Sequence, residues 1–257
     1  MSKKFFIQFT LTSLAIVSLL FFSACGKKME NSDAALKASV DTALTNGDWS
    51  EAQTYAEMAL KADNNNIDAQ VMYAISQDKL GKREDAIKTL RNIVFGNPNN
   101  FLAQLSLGEM LYKNQNYEEA YENLGNAYNL NNDNIDTLVL YSQCAGKLLA
   151  KNTPALYLKL AQTKQFADKP EVYNNLATYY LSLKDYNSAL KNFLKAYRLA
   201  DKNPTIVANL GIFRDKYMSD KKQAKYFYRK FITLTIGNSA FDSQREYFSK
   251  RLRELKS

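Results

Sequence analysis

The chain has 257 residues, 46% of them hydrophobic, and a formal net charge of +8. It contains only nine glycines and four prolines, and this scarcity of helix-breaking residues favours long helices over many short strands. There is no histidine and there are two cysteines, which excludes a histidine general base and leaves too few ligands for a thiolate zinc cage.

The N-terminal residues 1–24 have the layout of an export signal. The positive pair Lys3-Lys4 precedes an apolar run over 5–22, and small residues then lead to Cys25. The motif Phe22-Ser23-Ala24-Cys25 resembles the lipobox of bacterial lipoproteins, which implies that the cysteine is lipidated and becomes the mature N-terminus. The alternative is an uncleaved membrane anchor, since about 18 apolar residues just span a bilayer.

Residues 25–32 are predicted to form a short tether from lipidated Cys25. Gly26 follows the cysteine, and the resemblance implies that this residue allows transport to the outer membrane in Gram-negative bacteria. The polar segment from Gly26 to Ser32 reaches at most roughly 25 Å. We therefore expect the folded part to lie close to the bacterial membrane, facing the periplasm, with Cys144 left without an intramolecular disulfide partner.

The sequence from residue 33 onward repeats itself. A small residue that follows a polar pair recurs at steps of 34, 34, 34, 35 and 35, at Ala52, Ala86, Ala120, Pro154, Ala189 and Ala224. Apolar residues inside each unit recur at spacings of three and four, which predicts amphipathic helices. Gly and Asn residues between these runs, such as Gly47 and Gly81, mark turns. Each unit is therefore predicted to be a helix–turn–helix hairpin.

This pattern resembles the tetratricopeptide repeat (TPR), a hairpin of 34 residues. The resemblance implies an all-α fold, a right-handed superhelix (α-α solenoid) of about six repeats closed by a C-terminal capping helix. The predicted segments are TPR 1 at 33–66, TPR 2 at 67–100, TPR 3 at 101–134, an irregular TPR 4 at 135–169, TPR 5 at 170–203, TPR 6 at 204–238 and a basic capping helix at 239–257. In Leu107-Gly108 and Leu210-Gly211 we expect the large residue to fill the core and the small one to allow close helix approach.

The same resemblance implies that the first helices of the repeats line a concave groove that binds a protein partner. Carried over by alignment, the candidate groove residues are Asp68, Val71, Ile75, Asp78 and Lys79 in TPR 2; Leu102, Leu105, Glu109, Tyr112 and Lys113 in TPR 3; Asp136, Val139, Gln143 and Lys147 in TPR 4; and Asn174, Thr178 and Leu181 in TPR 5.

Two features of this groove predict what it binds. Lys79, Lys113 and Lys147 recur with the repeat and predict a cationic ladder for carboxylates, although solvated lysines at helix C-termini are the alternative. Leu102, Leu105 and Tyr112 predict an apolar strip for a helix or an extended peptide, unless they are buried between repeats.

The sequence shows no catalytic or metal-binding motif: there is no phosphate-binding glycine loop, nucleophile elbow or metal-ligand spacing. Cys144 is expected to be a buried, unreactive thiol. Residues 214–257 contain twelve Lys or Arg and five Asp or Glu, which we interpret as a solvated helical face. We therefore expect no enzymatic activity, no cofactor, no metal and no nucleic-acid partner.

Three functional hypotheses remain open. The first is a non-enzymatic interaction scaffold, lipid-anchored in the bacterial envelope, which recruits a partner protein into the groove. The lipobox, the six repeats, the irregular fourth repeat and the terminal helix also resemble the pilotin lipoproteins of type IV pilus assembly, which help a secretin to reach the outer membrane. The third hypothesis is a ligand-binding accessory of a transporter.

Overall fold

The computed structural model describes residues 46–255, and in this range the chain forms helices and no strand. The helices are α1 Trp49–Ala62, α2 Ile67–Lys79, α3 Arg83–Gly96, α4 Phe101–Lys113, α5 Tyr117–Leu130, α6 Ile135–Leu148, α7 Thr153–Gln162, α8 Pro170–Ser182, α9 Tyr186–Leu199, α10 Pro204–Lys216, α11 Lys221–Thr235, a 3₁₀ turn Ser239–Phe241 and α12 Asp242–Glu254. No helix in this part of the chain is both long and apolar enough to cross a membrane. The predicted signal peptide, lipidated Cys25, tether and first helix of TPR 1 fall outside the described residues.

The described chain divides after Leu148 into two compact units. The N-terminal unit contains α1–α6, and the C-terminal unit contains α7–α12. Each unit has its own hydrophobic core. The division falls inside the predicted TPR 4, between its two helices, and the exact boundaries of the predicted repeats stay predictions.

The helices of each unit pack as successive antiparallel hairpins. We call α2, α4, α6, α8 and α10 the first helices, and α1, α3, α5, α7, α9 and α11 the second helices. In the N-terminal unit α2 packs on α3 and α4 packs on α5, while α4 also contacts α2 and α6. In the C-terminal unit α8 packs on α9, α10 packs on α11, and α12 covers α11. The all-α fold made of stacked hairpins is thereby confirmed.

A residue with left-handed backbone conformation precedes each of the second helices α1, α3, α5, α7, α9 and α11. These residues follow the repeat spacing: Gly47, Gly81, Gln115, Leu149, Lys184 and Ser219, with φ between 53° and 87°. The amide of Gln115 donates to the Tyr112 carbonyl at 3.0 Å, and the amide of Asn116 donates to the Leu111 carbonyl at 2.9 Å. This pair of bonds is the Schellman motif, which satisfies the last carbonyls of a helix and requires one left-handed residue.

Gly108 allows α4 and α5 to pack closely in the core of the N-terminal unit. A Cβ atom on Gly108 would lie 2.6 Å from Cγ and 3.2 Å from the backbone nitrogen of Leu124. Leu124 is completely buried, and Leu107 is 1% exposed. The predicted roles of the Leu107-Gly108 pair are confirmed: the leucine fills the core and the glycine permits close helix contact.

Gly108→Ala is expected to lower the free energy of unfolding by about 1–3 kcal/mol, because the added methyl group would overlap a buried side chain and its backbone. The measurement is urea denaturation followed by circular dichroism. Gly96→Ala is the control, since nothing lies within 4 Å of its Cβ position, and it should leave stability unchanged or slightly raise it. Equal losses in both variants would contradict the packing argument.

The helix α12 caps the C-terminal unit through an aromatic contact and a buried ion pair. Phe248, 2% exposed, packs against the rings of Tyr228 and Phe231 at centroid distances of 4.6 and 4.8 Å. The guanidinium of Arg251 donates from Nε and Nη2 to the two carboxylate oxygens of Asp215 at 2.7 and 2.9 Å. Burial alone would raise the pKa of Asp215, but the hydrogen bonds from Arg251 and from the Tyr228 hydroxyl lower it below its ordinary value.

Arg251→Ala is expected to destabilise the C-terminal unit by about 2–3 kcal/mol, because the Asp215 carboxylate would be left buried without its cation. Arg253→Ala, on the same helix but exposed, is the matched control and should cost much less. Differential scanning calorimetry compares the two variants. Since the pKa of Asp215 is lowered on folding, the excess cost of Arg251→Ala should shrink as the pH falls below about 4. An excess cost that does not depend on pH would contradict this assignment.

Candidate partner-binding surface

One face of α4 presents half-buried apolar and charged side chains on the N-terminal unit. We call Leu102, Leu105, Glu109 and Tyr112 the α4 stripe. Their spacings of three, four and three residues place them on one helix face. Leu102, Leu105 and Tyr112 pack against the core while each remains partly exposed. The stripe therefore combines an apolar ledge with a carboxylate beside it.

Part of the predicted groove is buried and differs from the expectation. Six of the predicted groove residues are each at most 5% exposed: Val71, Ile75, Val139, Gln143, Asn174 and Thr178. The side chain of Asp78 is also 5% exposed, and its carboxylate accepts a hydrogen bond from Arg83 Nε at 2.6 Å. Leu181 is also buried, at 8%. These residues belong to the packed interior and are not accessible to a partner in this structure. Branched apolar residues in the middle of a first helix fill the space between neighbouring hairpins.

The corresponding positions of the C-terminal unit hold a buried amide pair. Asn209 Nδ2 donates to Asn174 Oδ1 at 2.9 Å, and both side chains are fully buried. The Thr178 hydroxyl donates to the Asn175 carbonyl at 2.8 Å. Two of the three predicted site residues in this unit, Asn174 and Thr178, therefore stabilise contacts within and between first helices.

The three lysines of the predicted cationic ladder have different surroundings. Lys113 Nζ lies 2.6 Å from the Glu109 carboxylate, one helical turn earlier. Lys79 Nζ lies 5.3 Å above the ring of Trp49, within cation–π range. Lys147 is exposed at the end of α6. Because Lys113 already has an anion beside it, the N-terminal unit offers fewer uncompensated cations than the repeat pattern predicts.

Acidic side chains from two neighbouring first helices lie close enough to repel each other. Asp136, at the start of α6, is half-buried, and its pKa is raised above the ordinary value by burial and then by the negative charge of Glu109 on α4. Asp68 of α2 is exposed and provides a further carboxylate on the first helices. A cationic group placed between the carboxylates of Glu109 and Asp136 would therefore lower the pKa of Asp136.

Asp136→Asn is expected to raise the free energy of unfolding at about pH 7 by less than about 1 kcal/mol, because ionised Asp136 is penalised in the folded state. For a carboxyl group with a raised folded pKa, this penalty is present above the unfolded pKa of about 3.9 and disappears at lower pH. The gain should therefore vanish at about pH 3 in urea denaturation. The control Asp133→Asn, in the preceding exposed turn, removes the same charge. A gain for Asp136→Asn that persists at low pH would disprove the electrostatic origin.

Tyr112 of the α4 stripe contacts a second tyrosine, whose carbonyl accepts a hydrogen bond from a buried thiol. The rings of Tyr112 and Tyr117 meet edge to face at 5.5 Å, and the Cys144 thiol donates to the Tyr117 carbonyl at 3.1 Å. Burial raises the pKa of Cys144 to about 12, with a smaller contribution from the charge of Glu118. Burial likewise raises the pKa of Tyr112 to about 12. The expectation that Cys144 is buried is confirmed, and the raised pKa disfavours the thiolate that reaction requires.

The described residues contain no group of three or more His, Cys, Asp or Glu side chains placed to hold a metal ion. The surface of α4 and α6 offers a partner three kinds of contact: apolar side chains, the edge of an aromatic ring and two carboxylates. Sequence reasoning missed the participation of Tyr117, which its aromatic position at the start of a second helix could have indicated.

Comparison with known proteins agrees with this architecture. A tetratricopeptide repeat family model matches residues 43–108. The matched residues thus resemble tetratricopeptide repeats, and the described helices have the fold of TPR proteins. No curated protein sequence matches the chain.

Several solved TPR structures are similar to the chain. The C-terminal part of a TPR repeat-containing protein from Cytophaga hutchinsonii has a TM-score of 0.67 and 17% identity, over 86% of this chain and 87% of that one. The structure of pilF from Pseudomonas aeruginosa has a TM-score of 0.61 and 18% identity, over 86% and 97%. YrrB, described as a TPR protein with an unusual peptide-binding site, has a TM-score of 0.60 and 14% identity, over 71% and 93%. At these identities the likeness concerns the fold. TPR folds generally serve as protein-interaction scaffolds.

Proposed function

We propose that this TPR protein is a non-enzymatic scaffold that binds a partner protein on the α4 stripe of its N-terminal unit. The observation that carries the proposal is the half-exposed apolar ledge of Leu102, Leu105 and Tyr112 beside the carboxylates of Glu109 and Asp136. The peptide-binding site named for the similar YrrB structure supports the same mode of action.

The chemistry of the stripe specifies the partner segment. Leu102 and Leu105 lie one turn apart, which suits apolar side chains of an amphipathic helix or an extended peptide. Lys113 forms an ion pair with Glu109, and no ion pair among the described residues involves Asp136, so a lysine or arginine of the partner gains a favourable electrostatic contact there. The partner segment therefore contains at least one apolar anchor followed by a basic residue.

The scaffold acts at the bacterial envelope in this proposal. Lipid chains on Cys25 would hold it at the outer membrane, and more than one chain is needed for stable anchoring. The polar segment that follows the cysteine is short, which keeps the repeats near the bilayer where envelope proteins assemble.

A second candidate function is that of a pilotin-like assembly factor for a secretin or another outer-membrane complex. It is favoured by the similarity in fold to Pseudomonas aeruginosa pilF, which extends over nearly the whole of that chain. A strain lacking the protein should then fail to form secretin multimers, whereas normal multimers would exclude this role and leave the general scaffold in place.

Site-specific photocrosslinking tests the partner surface directly. A photoreactive amino acid at Leu105 of the native protein, expressed in its own cells, is expected to give a defined crosslinked species, identified by mass spectrometry. The double change Glu109→Lys and Asp136→Lys should reduce that species by about tenfold or more, since each lost charge contact of this kind contributes about 1 kcal/mol and repulsion adds to the loss.

The matched control is Glu51→Lys with Glu57→Lys, two exposed positions on the second helix α1, with the same change in charge. It should leave crosslinking unchanged. Equal reduction by both pairs, or crosslinks of equal yield from a probe at exposed Lys88 on α3, would contradict a specific surface on the α4 stripe.

Labelling with a palmitate analogue tests the lipid anchor separately. The wild-type chain is expected to incorporate the label and to fractionate with the outer membrane, because acylation adds buried methylene groups that drive membrane partition. Cys25→Ser should abolish the incorporation, while Cys144→Ser should not affect it. Labelling that survives Cys25→Ser would rule out this anchor.

A further inference from the structure

The second helices of the two units differ strongly in charge. In the C-terminal unit, α9 and α11 contain eight Lys or Arg residues and no Asp or Glu. In the N-terminal unit, α1, α3 and α5 contain four basic and seven acidic residues. Much of the positive charge of the chain therefore belongs to two helices of a single unit.

The cations of α9 lie on one face of that helix. Lys191, Lys195 and Arg198 follow each other at spacings of four and three residues and are exposed. Lys195 Nζ lies 4.0 Å from the ring centroid of Tyr173, while Leu199 beside this stripe is 38% exposed. The face opposite the cations is buried, through Ala189, Phe193 and Ala196.

The helix α11 repeats this arrangement with an aromatic residue in the stripe. Lys222, Tyr226 and Arg229 follow each other at spacings of four and three residues and are exposed, with Tyr226 at 52%. Lys225 lies beside them and is partly exposed. The opposite face is again buried, through Ala224, Phe227, Tyr228 and Phe231.

Direct contacts place α9 and α11 side by side. The ring of Tyr197 on α9 meets the ring of Phe227 on α11 edge to face at 5.3 Å. Lys230 Nζ donates to the Tyr197 hydroxyl at 2.7 Å and to the Asp201 carboxylate at 3.0 Å. We call Lys191, Arg198, Leu199, Lys222, Lys225, Tyr226 and Arg229 the α9–α11 face.

The cations of this face form no ion pair in the part of the chain that the structure describes. Lys230 is paired with Asp201, but none of the ion pairs found between residues 46 and 255 involves Lys191, Arg198, Lys222, Lys225 or Arg229. These five cations therefore do not stabilise the fold through ion pairs. A face that carries several uncompensated cations together with exposed tyrosine and leucine suits an anionic surface with an apolar layer beneath it.

We propose that the α9–α11 face docks on a membrane surface of anionic phospholipid. Its lysines and arginines contact the lipid phosphates, while Tyr226 and Leu199 enter the interfacial layer where aromatic and apolar side chains are favoured. Nucleic acid offers the same charge but no apolar layer for Leu199. The inference goes beyond the proposed scaffold function and does not require lipidation of Cys25, since its contacts all come from the C-terminal unit.

Lysine footprinting of the full chain tests this docking. The chain is reconstituted into vesicles of phosphatidylethanolamine with phosphatidylglycerol, or of phosphatidylcholine alone, and modified with an amine-reactive reagent. Mass spectrometry follows Lys191, Lys222 and Lys225 against the internal controls Lys61 and Lys88 of the N-terminal unit. Anionic vesicles should slow modification of the first three lysines about fivefold, which is the factor expected for the attraction of one lysine to an anionic lipid surface. High salt should remove this protection because it screens the attraction.

Variants with equal charge change make the result specific. The triple change Lys222→Glu, Lys225→Glu and Arg229→Glu should abolish the protection of Lys191, whereas Lys61→Glu, Lys82→Glu and Lys88→Glu should preserve it. Equal modification rates in both vesicle types, protection spread equally over the two units, or protection by duplex DNA equal to that by anionic vesicles would each overturn the proposal. If footprinting contradicts this docking, the proposed partner surface on α4 still stands, because crosslinking at Leu105 tests the N-terminal unit separately.

Discussion

A helical hairpin of about 34 residues cannot bury its apolar side chains by itself, so each hairpin must be covered by the next. In the C-terminal unit this need is visible at α11, where Phe248 of α12 packs against the buried rings of Tyr228 and Phe231. In the N-terminal unit, Gly108 serves the same end by letting α4 approach Leu124 closely. Everything that the surfaces present depends on this stacking, because it decides which side of each helix is left for solvent.

The stacking of hairpins determines which side chains the first helices and the second helices expose. The first helices of the N-terminal unit expose the α4 stripe, where apolar side chains lie next to Glu109 and Asp136. The second helices of the C-terminal unit expose the α9–α11 face, where cations predominate. A partner segment with apolar and basic residues suits the former, and a surface of anionic lipid suits the latter. One fold can thus carry two surfaces of opposite charge preference, and neither needs catalytic residues.

The repeat spacing and the alternation of large and small residues were sufficient to predict the hairpins, the packing role of Leu107-Gly108 and the buried state of Cys144. The left-handed turn residues Gln115 and Lys184 could not be predicted, because neither is a glycine and the conformation follows from the spacing of the helices. The contact between Asp215 and Arg251 depends on tertiary packing across 36 residues. The Glu109–Lys113 ion pair, by contrast, could have been predicted from its spacing of four residues. That prediction would have removed Lys113 from the set of lysines expected to bind the carboxylates of a partner.

Hydrogen exchange on a chain truncated after Asn238, which lacks α12, tests the stacking constraint most directly. If each hairpin relies on its neighbour, the slowly exchanging amides of α10 and α11 should lose far more protection than those of α8, because the exposed end lies next to the removed helix. Equal loss from α8 through α11, or no loss anywhere in the C-terminal unit, would contradict the account.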